Sequence, residues 1–166
     1  MNFLIGLREF KNHLLKKENI FFSIFVIIIF FLDRLSKSYV IDNFKEVSYY
    51  VNRFINFDLT WNIGIAFSFL STDSTLFYNL ITLLIGLIIL ILIYIFAKSE
   101  IIDKFIYSII IGGGLGNFYD RLIYKGVPDF IDLHYDNFHW FTFNVADIFI
   151  TTGIMIYILK SFFEKK

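Results

Sequence analysis

Asp129 and Asp147 are the residues on which hydrolytic chemistry could be built. Asp129 follows Pro128 in what reads as a loop just beyond one long apolar run, and Asp147 stands near the start of the next. If those runs are antiparallel neighbours, the two side chains meet at one depth. Two carboxylates beside an apolar surface cannot both ionise cheaply. Desolvation and mutual repulsion raise one pKa, which leaves one base and one acid able to activate a water. Spacing alone equally allows a structural pair at an interface. Other catalytic devices are missing: there is no H-E-x-x-H, no G-x-S-x-G, no phosphate loop and no cysteine. His134 and His139 are five residues apart in a strand-turn segment, and with His13 they are the only histidines. No metal site and no cofactor is expected.

The elements that must position these groups follow from composition. The chain has 166 residues, of which 57% are hydrophobic, 21% aromatic and 18% charged. A soluble domain is about 45–50% apolar and about 25% charged, so a disordered chain, a disulfide scaffold and an ordinary soluble enzyme are excluded. The formal net charge is zero, which offers no basic surface to nucleic acid. A bilayer core of about 30 Å needs about 20 apolar residues per helix. Four runs meet that length, at about 20–40, 76–97, 101–124 and 145–163. The first resembles a signal-peptide core behind Arg8, Lys11, Lys16 and Lys17, but no small-x-small site follows it, so it reads as a retained span with its leader in the interface. In the second, Asn79 and Thr82 are the notable polar groups. Basic residues of the leader, of the 98–104 connection (Lys98, Lys104) and of the C-terminus (Lys160, Lys165, Lys166) fall on one side, so both termini are expected in the cytoplasm.

The outer connections carry a different period. Ile55, Phe57, Leu59 and Trp61 alternate with Asn56, Asp58, Thr60 and Asn62, and 130–135 repeats the pattern more weakly. Alternation of this kind predicts strands with one apolar face. The fold class is therefore an integral membrane protein, mainly α, with four transmembrane helices and a small extracytoplasmic β-sheet from about 45–70 and 129–142, all in one domain over 1–166.

Polar groups inside a span cost about 2.5–3.5 kcal/mol each at mid-helix on insertion scales. Here they collect at the outer ends: Asp33, Arg34 and Lys37 on the first run, Asn117, Asp120 and Arg121 on the third, Asn144 and Asp147 on the fourth, with Asn62 and Asp129 beside them. Asp33 and Lys37 are i,i+4 and can pair, either to support a site or merely to neutralise each other; Asn117 stands i,i+3 and i,i+4 from Asp120 and Arg121. Gly112, Gly113, Gly114 and Gly116 would let helix backbones approach. A small proton-coupled transporter or channel subunit is the rival reading, but its path should run through both leaflets.

Taken together, five motifs resemble the lipoprotein signal peptidases, the signal peptidase II family of membrane aspartyl peptidases. They are D-x-x-x-K at 33–37, W-N-x-G-x-A-F at 61–67, G-x-L-G-N-x-x-D-R at 113–121, V-x-D-F at 127–130 and F-N-x-A-D at 143–147. The resemblance implies Asp129 and Asp147 as the catalytic pair, with Asp33, Lys37, Asn62, Gly64, Asn117, Arg121 and Asn144 binding substrate or supporting the site. In that scheme Asn62 would hydrogen-bond substrate backbone, Arg121 would brace the outer loops or polarise a carbonyl, Asn144 would orient Asp147, and Asp120 would be structural. It further implies a diacylglyceryl-modified prolipoprotein as substrate, cleaved before its lipidated cysteine, membrane lipids as surroundings, a monomer, and a bacterial cytoplasmic (inner) membrane with the site facing outward. The apolar stretch 64–70 would rest on the bilayer or clamp substrate. Relatives often have a proline near the aromatic segment 139–142; this chain does not.

Overall fold

The computed structural model describes residues 15–44, 48–64 and 75–164. The leader basic residues Arg8 and Lys11, the stretch 65–70 and Lys165 and Lys166 lie outside them. Four helices are long and apolar enough to cross a membrane: α1 (Lys17–Asn43), α2 (Thr75–Lys98), α3 (Ile101–Tyr124) and α4 (Val145–Glu164). At 1.5 Å per residue they measure about 30–40 Å, enough for a core of about 30 Å. Each extends the predicted run by at most a few residues. An apolar chain in lipid must satisfy its backbone groups within one segment, which selects the helix. Leu83, Leu84, Leu87, Ile88 and Leu90 of α2 point outward, as expected where lipid is the solvent.

The central helix is α3, packed against α1, α2 and α4. Its glycines make this possible. A Cβ on Gly112 would stand 2.8 Å from Ile29 Cβ of α1, and one on Gly113 would stand 2.6 Å from the Ala146 carbonyl oxygen of α4. One on Gly116 would collide with the Asp33 carboxylate. Gly153 of α4 returns the contact, since a Cβ there would lie 2.5 Å from Ile110. Below this zone Phe22, Phe96 and Ile111 form the apolar core.

A four-stranded antiparallel sheet in the order β1-β2-β3-β4 joins the helices: β1 (Tyr49–Asn52), β2 (Ile55–Asn62), β3 (Val127–Tyr135) and β4 (Phe138–Phe143). Lys125, at φ 58°, closes α3 in the left-handed region and turns the chain into β3. Two sequence expectations are corrected. Asp129 is not in a loop but is the third residue of β3, an interior strand in which Pro128 is tolerated near the start. Nor do Asn56, Asp58, Thr60 and Asn62 form one polar row. Phe57 pairs with Ile131 but Thr60 with Asp129, so β2 holds one extra residue there. Such a bulge reverses the alternation. Asn56 then stands opposite Asp132, while Thr60 and Asn62 share the face of Asp129.

The glycine contacts generate a graded expectation. Gly116→Ala and Gly113→Ala should each cost about 1–3 kcal/mol of stability, the range for forcing atoms into packed space. Gly114→Ala should be tolerated, because its Cβ would meet only Ile89 at 3.5 Å and 3.7 Å. Thermal midpoints of the three variants in one detergent check the ranking.

Candidate active site

The site is built outward from α1. One helical turn places Lys37 over Asp33, and its Nζ lies 2.8 Å from Asp33 Oδ2. The other two ammonium hydrogens reach α3, to Asn117 Oδ1 at 2.8 Å and Asp120 Oδ2 at 2.7 Å. Lys37, Asp33 and Asp120 are all fully buried. The remaining oxygen of Asp120 accepts from Arg34, whose guanidinium lies over the Tyr119 ring at 4.9 Å. The remaining oxygen of Asp33 accepts the Ala146 N–H at 3.0 Å. A carboxylate from α1 thus satisfies one of the free donors that every helix start leaves open, here that of α4.

At the same helix start Asn144 and Asp147 cap each other. The Asp147 N–H donates to Asn144 Oδ1 at 3.1 Å, and the Asn144 N–H donates to Asp147 Oδ2 at 3.2 Å. This is a capping box with Asn and Asp in its two roles. Asp147 Oδ1 accepts from Asn117 Nδ2 at 2.9 Å. Asn144 Nδ2 then reaches across to Asp129 Oδ1 at 2.6 Å, so one residue touches both carboxylates. Asp129 Oδ2 accepts from Asn62 Nδ2 at 2.8 Å, a contact that exists because the β2 bulge turned Asn62 to this face. Asn62 Oδ1 accepts the Gly64 N–H at 2.9 Å, and the Gly64 carbonyl accepts from Arg121. Arg121 therefore braces the segment after β2, and its Nη1 is buried without a partner among the described residues. Tyr78 of α2 donates its hydroxyl to the Arg121 carbonyl at 3.2 Å.

All nine residues expected at the site are thus linked in one network. The structure adds three details to the expected set. Asn62 donates to Asp129, Asn144 reaches Asp129 as well as Asp147, and on α2 Thr82 is buried and Asn79 exposed, with Tyr78 buried one turn before Thr82. Tyr78 was legible only as a hydroxyl four residues before Thr82, which donates back to the Tyr78 carbonyl at 2.9 Å. The two histidines, five apart in sequence, face each other across the β3–β4 hairpin.

Asp129 is 2% exposed, and burial, reinforced by the charge of Asp147, raises its pKa to about 7 against the opposing hydrogen bonds of Asn62 and Asn144 and the charge of Lys37. Arg34, Lys37 and Arg121 face Asp33, Asp120, Asp129 and Asp147, so the cluster is neutral when the Asp129–Asp147 pair holds one proton. A pair in that state carries an acid and a base side by side. An apolar recess of about 270 Å³ leads away from Asp147, lined by Phe141, Phe143, Ile148, Thr151 and Thr152.

Comparison with known proteins places these residues in context. Residues 25–163 match the family model described as Signal peptidase (SPase) II. The chain is 46% identical over 147 residues to a lipoprotein signal peptidase of Pelagibacter ubique, covering 86% of this chain and 89% of that one. It is 44% identical over 120 residues to a lipoprotein signal peptidase of Francisella tularensis subsp. novicida, covering 70% and 74%. Among solved structures, a bacterial membrane enzyme determined by the in meso method at 2.3 Å superposes with a TM-score of 0.68 at 31% identity, over 87% of this chain and 91% of that one.

The raised pKa of Asp129 has a consequence for folding. Its folded value, about 7, lies above the unfolded value near 3.9. The stability it contributes is therefore complete below about pH 4 and lost as pH rises through about 7. Thermal midpoints should fall between pH 5 and pH 9, and the fall should be shallower in Asp129→Asn; equal slopes would contradict the burial of an ionisable carboxyl there.

Proposed function

The chain belongs to the signal peptidase II family, and from that premise we propose that it is a membrane aspartyl endopeptidase that removes the signal peptide from diacylglyceryl-modified prolipoproteins, cleaving before the lipidated cysteine. The observation that carries this reading is Asn144 joined to Asp129 on one side and Asp147 on the other. Fixed donors hold both carboxylates, so neither needs to reorganise as charge moves.

In the proposed reaction a water lies between the two groups. The ionised carboxylate takes its proton as the oxygen attacks the scissile carbonyl carbon, and the protonated partner donates to the carbonyl oxygen. The tetrahedral adduct then collapses. Its C–N bond breaks as the leaving nitrogen takes a proton from the pair, while a hydroxyl of the adduct returns a proton to the other carboxylate as the new carboxyl C=O forms, so the dyad ends singly protonated. Arg121 Nη1, a buried donor without a partner among the described residues, would assist the developing negative charge. Asp33, Lys37 and Asn117 hold Asp147 and the start of α4 in position.

Substrate delivery follows from the surroundings. Acyl chains and an apolar signal helix partition into the bilayer, and the recess beside Asp147 offers an apolar surface of helix and strand to receive them. The distribution of basic residues supports cytoplasmic termini and an outward-facing dyad. A proton-coupled transporter finds no matching path, since residues 148–159 of α4 and 80–97 of α2 are uncharged.

The test is cleavage of a diacylglyceryl-modified precursor beside its unmodified twin. Asp129→Asn and Asp147→Asn should each reduce processing by a factor of at least about 10³, with both variants still inserted and only the modified precursor cut by the wild type. The rate should trace a bell against pH, with apparent values that belong to the pair. Normal cleavage by either variant, or a flat profile, overturns the assignment.

A further inference from the structure

On the face of β3 opposite Asp129 lies a second cluster that the peptidase chemistry does not use. Asp132 and His134 are two apart on one strand, and His139 pairs directly with His134 across the hairpin. His139 Nδ1 lies 2.7 Å from Asp132 Oδ2, and His134 Nδ1 lies 3.5 Å from the same oxygen. One ligand atom from each residue falls within 4.8 Å of the others. The two rings are stacked with centroids 5.3 Å apart.

A hydrogen bond between His139 and Asp132 would by itself explain one contact, but it leaves two buried atoms unaccounted for. His134 is 4% exposed and its Nδ1 has no hydrogen-bond partner among the described residues. Asn56 stands directly opposite Asp132 in the register, and its Oδ1 is also buried without a partner. Buried acceptors and donors left unmatched are costly. His134 Nδ1 beside the Asp132 carboxylate, and Asn56 across the ladder from it, mark a place where a further group binds.

We propose that Asp132, His134 and His139, with Asn56 Oδ1 as a fourth donor, form a binding site for a divalent transition metal of the zinc type. Two imidazoles, a carboxylate and an amide oxygen suit Zn²⁺ and its neighbours better than Ca²⁺ or Mg²⁺, which prefer all-oxygen shells. Ligands about 2.0–2.2 Å from a tetrahedral ion stand about 3.3–3.5 Å from one another. The His134–Asp132 separation of 3.5 Å already meets that spacing, and the His139–Asp132 pair at 2.7 Å must open by several tenths of an ångström. His139 can supply this movement, because its side chain is 57% exposed, and that exposure also gives the ion its way in. A bound ion would clamp β3 to β4, and so stiffen the strand that carries Asp129 three residues earlier.

The experiment is a titration of the full chain, without an oligohistidine tag, in detergent micelles with Co²⁺ followed by displacement with Zn²⁺. The wild type should take up one Co²⁺ per chain with visible d–d absorption of a four-coordinate nitrogen–oxygen site, and Zn²⁺ should bleach it and raise the thermal midpoint. His139→Ala, at an exposed position that the fold tolerates, should weaken uptake at least tenfold. His134→Ala should do the same, and His13→Ala and Asp129→Asn should leave it unchanged. Uptake that is equal in wild type and His139→Ala, absent at one equivalent, or lost in Asp129→Asn would overturn the site.

Discussion

The ammonium of Lys37 is the constraint on which the rest of the molecule depends. It is fully buried among the helices. A buried cation is tolerable only if each of its three hydrogens has an acceptor and its charge a counter-charge. Asp33 supplies one from the same helix, while Asn117 and Asp120 supply two from α3. Meeting that demand fixes the depth and rotation of α1 against α3 far more narrowly than apolar packing would, since lipid tails are as good a neighbour for leucine as another helix is. Removing one member of such a buried group leaves an uncompensated charge, which costs about 3–5 kcal/mol. The close fit at Gly116, where any side chain would strike Asp33, is the steric counterpart of the same demand.

From Lys37 the order passes to Asp129 and Asp147 through fixed donors. Asn117 accepts from Lys37 and donates to Asp147; Asp33 accepts from Lys37 and from the start of α4; Asn144 joins Asp147 to Asp129. Each carboxylate oxygen of Asp129 and Asp147 therefore has an assigned donor before any substrate arrives. The charge count closes if this pair holds a single proton. The remaining charges in the cluster leave one positive charge over, at Arg121, and a singly protonated dyad balances it. Protonating both acids would leave the low-dielectric cluster positive, and ionising both would leave it negative.

The helices were legible in the sequence because lipid imposes one requirement, length of apolar run, and 101–124 coincides with α3 end to end. The site residues were legible for a related reason: polar groups are costly in a span, so their gathering at one end of three runs was itself a signal. Their partners were less so. Helical spacing paired Asp33 with Lys37 correctly, but no spacing rule could show that Asp33 also reaches Ala146, which is 113 residues away. The β2 bulge was hidden for a different reason. Strict alternation from Ile55 to Asn62 reads as an unbroken strand, and an extra residue is visible only against the partner strand's register. The same blindness applies to His134 and His139, whose separation of five looks unhelpful until the hairpin sets them opposite each other.

Placing Asp129 in an interior strand instead of a loop changes what the site can do. A loop carboxylate can turn to water and relieve its desolvation, and its pKa would then relax toward the ordinary range. In β3, Asp129 is held by the register against Thr60 of β2 and by the side chains of Asn62 and Asn144, and cannot turn away. The bulge in β2 is required by the same logic. Without the extra residue Asn62 would face the other side of the sheet, Asp129 Oδ2 would lose its donor, and Gly64 would lose the link that ties the segment after β2 to Arg121. A single inserted residue in β2 thus connects the sheet to the helical network, and the buried carboxyl keeps its raised pKa because the strand gives it no way out.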